Sequence, residues 1–426
     1  MKLWEKGIAT DQKIEQFTVG NDRELDTVLA KYDILGSMAH AKMLAETNLL
    51  SQEEANSLCI ALNELLLKIE NKNFIIENNF EDIHSKIEFL LIEKLGDTGK
   101  KIHTARSRND QVLVDVHLYL KDEIITIKNL IKELFDLLME LADKNKDVLL
   151  PGYTHLQVAM PSSFGLWFSA YAESLIDDIT MLNAALQVVD QNPLGSAAGY
   201  GSSFPIDRTF TTEALGFSTM KHNVVAAQMS RGKSEKIMAF AMSSVAGTLS
   251  KLAMDVCLYL SQNFDFIALP AHLTTGSSIM PHKKNPDIFE LIRGKSNKIQ
   301  SLPYELTLLT NNLPSGYHRD FQLLKEGLFP AIENLKSCLE MTHYAIKDIK
   351  VKENILNDEK YKYSFTVDTI NQMVVSGIPF RDAYKMVADQ IENGTFTVPE
   401  STNHTHEGSI NNLCLEEIKK KMEFSF

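Results

Sequence analysis

Apolar residues recur at every third or fourth position over long stretches of the chain, the spacing that lines one face of an α-helix. The clearest stretch runs from Leu113 to Leu141. Proline costs about 3 kcal/mol inside a helix, and there is none before Pro151. We therefore expect five long helices between residues 110 and 350, forming a central bundle, with the fourth kinked at Pro303. They are predicted over 113–141, 161–189, 233–262, 289–309 and 329–349.

Shorter periodic stretches lie on either side of this central region. They predict helices over 33–44, 51–70, 83–95, 366–375 and 380–392. Strand patterns are sparse, so the fold class is expected to be mainly α. A chain of 426 residues exceeds the size at which one core usually stops growing. We expect three domains: an N-terminal helical domain (1–104), the central bundle with catalytic loops (105–350) and a small C-terminal helical domain (351–426).

The composition limits the classes of binding partner and indicates the cellular compartment. The net charge of −13 disfavours binding to nucleic acid or to an anionic membrane surface. The four cysteines are scattered, without the spacing of a metal site. No uncharged apolar run approaches eighteen residues, and the N-terminus lacks the apolar core of a secretion signal. We expect a cytoplasmic protein.

Four polar connectors interrupt the predicted helices, at 101–111, 151–157, 192–203 and 276–290. In the first, Arg106, Arg108 and Asn109 could hold a carboxylate through paired donors, although a helix-capping role fits equally well. In the second, His155 could transfer a proton near neutral pH beside the hydroxyl of Thr154. A single histidine is more often structural, so neither connector decides the chemistry alone.

The fourth connector carries the densest chemistry in the chain. Lys283 could stabilise negative charge, Asn285 could donate to a carboxylate, and Ser277 follows a glycine that permits movement. Glu290, at the start of the next helix, could orient a histidine. A serine near a lysine also fits a Ser/Lys hydrolase, and a polar surface loop is the plain alternative. No nucleophile elbow, P-loop, zinc-protease motif or dinucleotide fingerprint is present.

At these residues the sequence resembles the fumarase/aspartase superfamily, whose GSSxMPxKxNxxxxE pattern is matched from Gly276 to Glu290. Within that superfamily it resembles the argininosuccinate lyases, and the likeness covers most of the chain. The segments that carry this second resemblance are His103 to Gln111, Gly152 to Gln157, Asn192 to Arg208 and Tyr317 to Lys325.

The resemblance implies reversible β-elimination of argininosuccinate to arginine and fumarate, without cofactor or metal, in arginine biosynthesis. It also implies a three-domain fumarase/aspartase-like fold and a homotetramer whose active sites combine motifs from three chains. In the family, a proton is taken from the carbon next to a carboxylate, and the guanidinium leaves from the resulting carbanion. Fixed donors aimed at the carboxylate stabilise that intermediate.

Position by position, Ser277 matches the family's general base. The His155–Glu290 pair matches a pair that the family assigns either as the acid or as the base, and we expect His155 to act as the acid. Lys283 and Asn285 match the groups that stabilise the carbanion. The remaining matches are expected to bind substrate. Arg108, Asn109 and Thr154 would bind the fumarate half, and Tyr317, Gln322 and Lys325 would bind the arginine half. His84 and Ser278 are expected to lie near the site.

The sequence departs from the family pattern at residues 4–8, 18–23 and 223–231, where Asn223 and Arg231 are kept and an aspartate is lost. The C-terminal region is also short. These departures affect expected substrate contacts rather than the chemistry. Two rival interpretations remain: a sister lyase for another succinyl adduct such as adenylosuccinate, and a catalytically silent, crystallin-like homologue.

Overall fold

A computed structural model describes residues 11–399 and 402–426, and this part of the chain is mostly helical. The predicted departure at residues 4–8 lies outside the described residues. The helices are α1 (Gln12–Val19), α2 (Asp22–Glu46), α3 (Gln52–Glu70), α4 (Ile83–Leu95), α5 (Asp97–Lys100), α6 (Arg108–Lys144), α7 (Phe164–Val189), α8 (Arg208–Ala214), α9 (Val224–Met229), α10 (Lys233–Leu260), α11 (Asp287–Ile299), α12 (Leu302–Leu309), α13 (Leu324–Ile346), α14 (Thr366–Val375), α15 (Phe380–Glu392) and α16 (Leu415–Ser425).

Short strands form three two-stranded sheets in the described residues. Their bounds are β1 (Leu149–Thr154), β2 (Gln157–Ser163), β3 (Gln191–Asn192), β4 (Thr219–Met220), β5 (Ile267–Ala268) and β6 (Lys350–Val351). The β1–β2 and β5–β6 pairs are antiparallel, whereas β3 and β4 are parallel. The second polar connector is therefore a hairpin.

The predicted long helices are confirmed, with two corrections at prolines. The stretch 289–309 is two helices, because the chain leaves the helical path at residues 300–301 and Pro303 lies in the first turn of α12. Proline is tolerated there because the first-turn N–H has no partner within the helix. The last long helix begins at Leu324, before its expected start, and contains Pro330.

The chain forms two compact units, and each is described by itself. The first takes in residues up to Ile127 together with Met181–Ser244 and Lys298–Leu335, and the second comprises Lys128–Thr180, Val245–Asn297 and the described residues from Lys336 onward. The limits of the units fall inside α6, α7, α10, α11 and α13. The three-domain division remains a prediction.

In the first unit, α2, α3 and α4 pack around a continuous apolar cluster. Leu58 and Leu62 of α3 are completely buried there, and each contributes about 1.5–3 kcal/mol by leaving water. The helix begins with a capping box in which Ser51 accepts from the Glu54 N–H and Glu54 returns the contact to the Ser51 N–H. This cluster supports α4, which carries His84.

In the second unit, aromatic rings pack around α7 and α10. The ring centroids of Trp167 and Tyr259 lie 5.3 Å apart. The Asp255 carboxylate accepts hydrogen bonds from Trp167 Nε1 at 3.1 Å and from the Tyr171 hydroxyl at 2.6 Å. A smaller apolar cluster joins α14 and α15 around Ala383.

Helix α10 is rich in small residues, as its sequence suggested. Within the described residues it is the one helix whose length and apolarity would suffice to cross a membrane, and half of its most apolar window is buried in this single chain. Core helices of water-soluble proteins have the same properties. Phe240 is 53% exposed and Met254 is 46% exposed on the same helix, so α10 keeps apolar surface that one chain does not cover.

Candidate active site

A polar cavity of about 180 Å³ lies in the first unit and brings together six of the predicted substrate-binding residues. They are His84, Arg108, Asn109, Tyr317, Gln322 and Lys325. The lining also includes Val19, Asp22, Asp26, Glu81, Asp82, Val112, Arg231 and Arg319. Segments that are far apart in sequence therefore meet at one place.

Helix ends position the predicted carboxylate-binding residues. Asp82 caps α4 by accepting from the Ser85 N–H at 2.8 Å, which places His84 in the first turn. Arg108 and Asn109 begin α6. The Asp110 carboxylate then accepts from the backbone N–H groups of Gly195 and Ala197 at 3.0 and 2.9 Å. The glycine-rich third connector is thus tied to the start of α6.

Lys325 lies at the other side of the cavity and is 4% exposed. Its Nζ atom is 2.5 Å from Asp22 Oδ1 and 2.6 Å from Asp26 Oδ1. Burial alone would lower the pKa of Lys325, but the negative charges of Asp26 and Asp22 raise it. The lysine is therefore held in its charged form between two carboxylates.

Arg108 already has carboxylate partners within the chain. Its Nη1 atom lies 3.1 Å from Glu81 Oε2 and 3.1 Å from Asp82 Oδ2, and its Nη2 donates to the Ser85 hydroxyl at 2.7 Å. The other oxygen of Glu81 accepts from Arg319 Nη2 at 2.8 Å. Glu81 thus joins two guanidinium groups at the cavity wall.

The His84 imidazole contacts two buried carboxylates. Its Nδ1 atom lies 3.0 Å from Asp33 Oδ1 and 3.8 Å from Asp115 Oδ2. Burial alone would lower the pKa of His84, but the charges of Asp33, Asp82 and Asp115 raise it to about 9. Burial, together with the charge of Asp33, raises the pKa of Asp115 well above its usual value. The imidazole is charged at neutral pH.

The same three side chains are close enough to share a cation, since their ligand atoms lie within 4.8 Å of one another. The Asp33 carboxylate, however, already faces His84 and also Arg106, whose Nη2 lies 3.9 Å from Asp33 Oδ1. Positive charge from the chain itself therefore compensates this cluster. The two carboxylates are therefore placed to orient the His84 imidazole.

The segment 18–23, where the sequence departs from the family pattern, contributes directly to the cavity. Gln322 Nε2 donates to the backbone oxygens of Thr18 and Val19 at 3.1 and 2.9 Å. Arg23 Nε donates to the Phe80 carbonyl at 2.6 Å. Contacts from two sides thus fix the start of α2, where Asp22 lies.

The segment 223–231 contributes one residue, Arg231, to the cavity lining. Asn223 caps α9 by accepting from the N–H groups of Val225 and Ala226. Arg231 Nε lies 3.1 Å from Glu235 Oε1, and its Nη2 donates to the Phe321 carbonyl at 3.1 Å. Arg231 therefore lines the cavity while supporting the segment that carries Gln322 and Lys325.

In the second unit, the connector 276–290 forms a loop closed by a bridge between Thr275 and Asn285. Its two backbone hydrogen bonds measure 3.2 and 2.8 Å. Within the loop, the Ser277 hydroxyl accepts from the N–H groups of Ile279 and Met280 at 3.4 and 3.2 Å. Asn285 Nδ2 donates to the Gly276 carbonyl at 3.3 Å. Ser278, Lys283 and Glu290 are exposed.

His155 occupies the tip of the β1–β2 hairpin. Thr154 pairs with Gln157, which leaves His155 and Leu156 as a two-residue turn with φ values of 54° and 58°. Non-glycine residues pay about 1–2 kcal/mol for this conformation, and such strain clusters at functional positions. His155 and Thr154 are both exposed. A separate cavity beside the hairpin is lined by Tyr153, His155, Leu156, Asp255, Leu258 and Tyr259.

Among the described residues of the second unit, no hydrogen bond or ion pair joins His155 to Glu290. The expected pairing of these two side chains, and the roles assigned to Ser277 and Lys283, remain predictions.

Comparison with known proteins identifies the family. A family model described as Lyase matches residues 5–301. An argininosuccinate lyase from Parabacteroides distasonis is 56% identical over 421 residues, which cover 99% of this chain and 94% of that relative. The chain belongs to the argininosuccinate lyase family. It is a lyase.

Solved structures agree with the fold of this argininosuccinate lyase family member. EDDS lyase in complex with formate superposes with a TM-score of 0.77 at 20% identity, covering 98% of this chain and 90% of that chain. A class II fumarase from Schistosoma mansoni superposes with a TM-score of 0.74 at 17% identity, covering 97% of this chain and 95% of that chain. At these identities the likeness establishes the fold alone, and it confirms the expected mainly α, fumarase/aspartase-like fold.

Several cavity residues of this family member were missing from the sequence prediction. Asp22, Asp26, Glu81 and Arg319 all line the cavity. Glu81 immediately precedes the predicted helix 83–95, and Arg319 lies inside the segment 317–325. Asp22 was indicated only as part of the departing segment 18–23. Asp26 had no local signal, because its partner Lys325 is about three hundred residues away.

Proposed function

We propose that this chain is a cytoplasmic argininosuccinate lyase of arginine biosynthesis, which cleaves argininosuccinate reversibly to arginine and fumarate. The observation that carries the proposal is the cavity of the first unit. It brings Arg108 and Asn109, matched to the fumarate half, into one cavity with Tyr317, Gln322 and Lys325, matched to the arginine half. The names of full-length relatives support the same substrate.

The proposed reaction begins with proton removal by Ser277 from the carbon next to a substrate carboxylate. The electron pair moves onto that carboxylate, where Lys283 and Asn285 stabilise the doubled negative charge. As the carboxylate re-forms, the pair makes the new carbon–carbon double bond and the carbon–nitrogen bond breaks. His155 supplies the proton that the departing guanidinium needs, so arginine leaves as a cation.

The cationic groups of the cavity suit the anionic substrate. Arg108 can exchange an internal carboxylate for a substrate carboxylate, since its Glu81 contact is partly exposed. The His84 imidazolium adds a second positive charge. Lys325, Gln322 and Tyr317, which are matched to the arginine half, line the same cavity.

The working form proposed here is a homotetramer that combines loops from different chains in each site. Exposed apolar residues on α10, such as Phe240 and Met254, support association through this helix. The exposed positions of His155, Ser278 and Lys283 support a site that neighbouring chains complete. Mixing and co-refolding two impaired variants, Ser277→Ala and Lys325→Met, should give more activity than either variant alone. No recovery in mixed tetramers would argue for sites built within one chain.

The substrate assignment is tested with purified protein and two substrates, without added metal or nucleotide. We expect fumarate release from argininosuccinate and none from adenylosuccinate. Release from adenylosuccinate alone would instead identify a sister lyase. Release from neither substrate by a correctly folded protein would identify a catalytically silent homologue.

A further inference from the structure

A second cavity of the first unit, of about 170 Å³, shares Arg231 with the cavity described above. Its other charged lining residues are Lys233 and Lys236, in the first turn of α10. None of the described residues that line it is an aspartate or a glutamate. Every charged side chain at this cavity is therefore positive, in a chain whose net charge is −13.

The nearest carboxylate in the sequence, that of Glu235, already has partners. Glu235 is 2% exposed, its Oε1 lies 3.1 Å from Arg231 Nε, and its Oε2 accepts from the Gly232 N–H at 2.7 Å. Glu235 can therefore balance Arg231 but no further cation. In the part of the chain that the structure describes, neither Lys233 nor Lys236 forms an ion pair with a carboxylate. Two positive charges at this cavity thus lack compensation.

Further positive charge lies close to these lysines. Burial lowers the pKa of the half-buried Lys221, and the charge of Lys233 lowers it further. Such an effect requires the two ammonium groups to be near one another. The Nη1 atom of Arg231 has no hydrogen-bond partner among the described residues, although the side chain is buried. Like charges at short range repel, and a bound anion would remove that cost.

The remaining lining suits a compact anion. Ser315 adds a hydroxyl group, and Gly316, with a φ of 107°, places backbone without a side chain at the cavity. Lysine ammonium groups bind phosphate in many proteins as point charges. A phosphate monoester carries between about one and a half and two negative charges at neutral pH, which matches the two uncompensated lysines better than a single carboxylate does.

We infer that the cavity bordered by Lys233 and Lys236 is a phosphate-binding site, which takes inorganic phosphate or the phosphate group of a small ester. The two lysines supply the opposite charge, and the Ser315 hydroxyl supplies a further donor. None of these three residues is assigned to the proposed reaction. The inference therefore stands or fails independently of the proposed function.

Equilibrium dialysis of the intact protein against radiolabelled inorganic phosphate tests the site, with chloride keeping the ionic strength constant. We expect one phosphate per chain to bind about tenfold more weakly in Lys233→Gln and in Lys236→Gln, the size of a hydrogen bond to a charged group. The double variant should lose that phosphate. Lys68→Gln, at an exposed position of α3, is the control and should bind as the wild type does.

Lys325→Met distinguishes this site from the substrate cavity, because it should keep the phosphate that the double variant loses. Competition by ribose 5-phosphate then distinguishes the two sources. Stronger competition than by unlabelled phosphate would identify a phosphate ester as the ligand, and weaker competition would identify free phosphate. A wild type that binds no phosphate, unchanged binding in the double variant, or loss of the same phosphate in Lys325→Met would overturn the inference.

Discussion

The Arg108 guanidinium contacts the Glu81 carboxylate at 3.1 Å, so the residue expected to hold the fumarate half has an internal carboxylate partner. Glu81 also contacts Arg319 at 2.8 Å. A substrate carboxylate must therefore compete with Glu81 for the same donors. This arrangement keeps the positive charges compensated while the cavity is open to solvent.

Glu81→Gln should lower the KM for argininosuccinate, because the amide competes less well for Arg108. Partly exposed ion pairs contribute about 0.2–1 kcal/mol, so we expect a decrease of up to about fivefold, with a smaller change in kcat. Steady-state kinetics measures both constants. Glu77→Gln is the matched control, since Glu77 pairs with Lys86 outside the cavity lining. A raised KM would show that Glu81 orients Arg108 rather than competing with substrate.

Ser277→Ala should reduce kcat much more than it changes substrate affinity. Loss of a positioned general base costs about 10²–10⁴-fold in rate, and the hydroxyl is assigned to proton removal rather than to binding. Single-turnover kinetics separates the chemical step from binding. Ser57→Ala, at a partly exposed position of α3, is the control. A variant with unchanged kcat would remove Ser277 from the role of base.

The buried His84 predicts a specific dependence of stability on pH. Its pKa is about 9 in the folded protein and 6.5 as the reference for the unfolded chain. Between these values the folded state holds a proton that the unfolded state has released, so stability falls as pH rises. The contribution is complete below pH 6.5 and is lost through pH 9, with a slope approaching about 1.4 kcal/mol per pH unit.

Denaturant unfolding of the wild type and His84→Gln across that range measures this contribution. We expect the stability difference between them to shrink as pH rises from 6.5 to 9. His272→Gln, at an exposed position, serves as the control for a surface histidine. A difference that stays constant, or grows with pH, would show that Asp33 and Asp115 do not hold His84 in its charged form.

The sequence was most informative where one helix face is buried over many turns. The α14 and α15 bounds match the prediction, and the spacing from Leu113 to Leu141 lies within α6. Apolar spacing could not locate the break before Pro303, because the apolar pattern continues across residues 300–301. It also missed the β1–β2 hairpin, whose first strand contains a proline and a glycine.

The site was predictable only where residues form a local motif. Six matched residues meet in the cavity, whereas Asp22 and Asp26 were missed because their shared lysine is distant in sequence. The three-dimensional path of α2 and α13 creates that contact. Local patterns carry no information about such a pairing, which arises from packing of the whole unit.

The most direct measurement is a time course of fumarate and arginine formation from argininosuccinate by the wild type and Lys325→Met in parallel. Lys347→Met, at an exposed position, is the control. We predict equal amounts of both products from the wild type, and kcat/KM at least about tenfold lower for Lys325→Met, because a charged hydrogen bond to substrate is lost. Equal kcat/KM values for wild type and Lys325→Met, or no products from the wild type, would contradict the account.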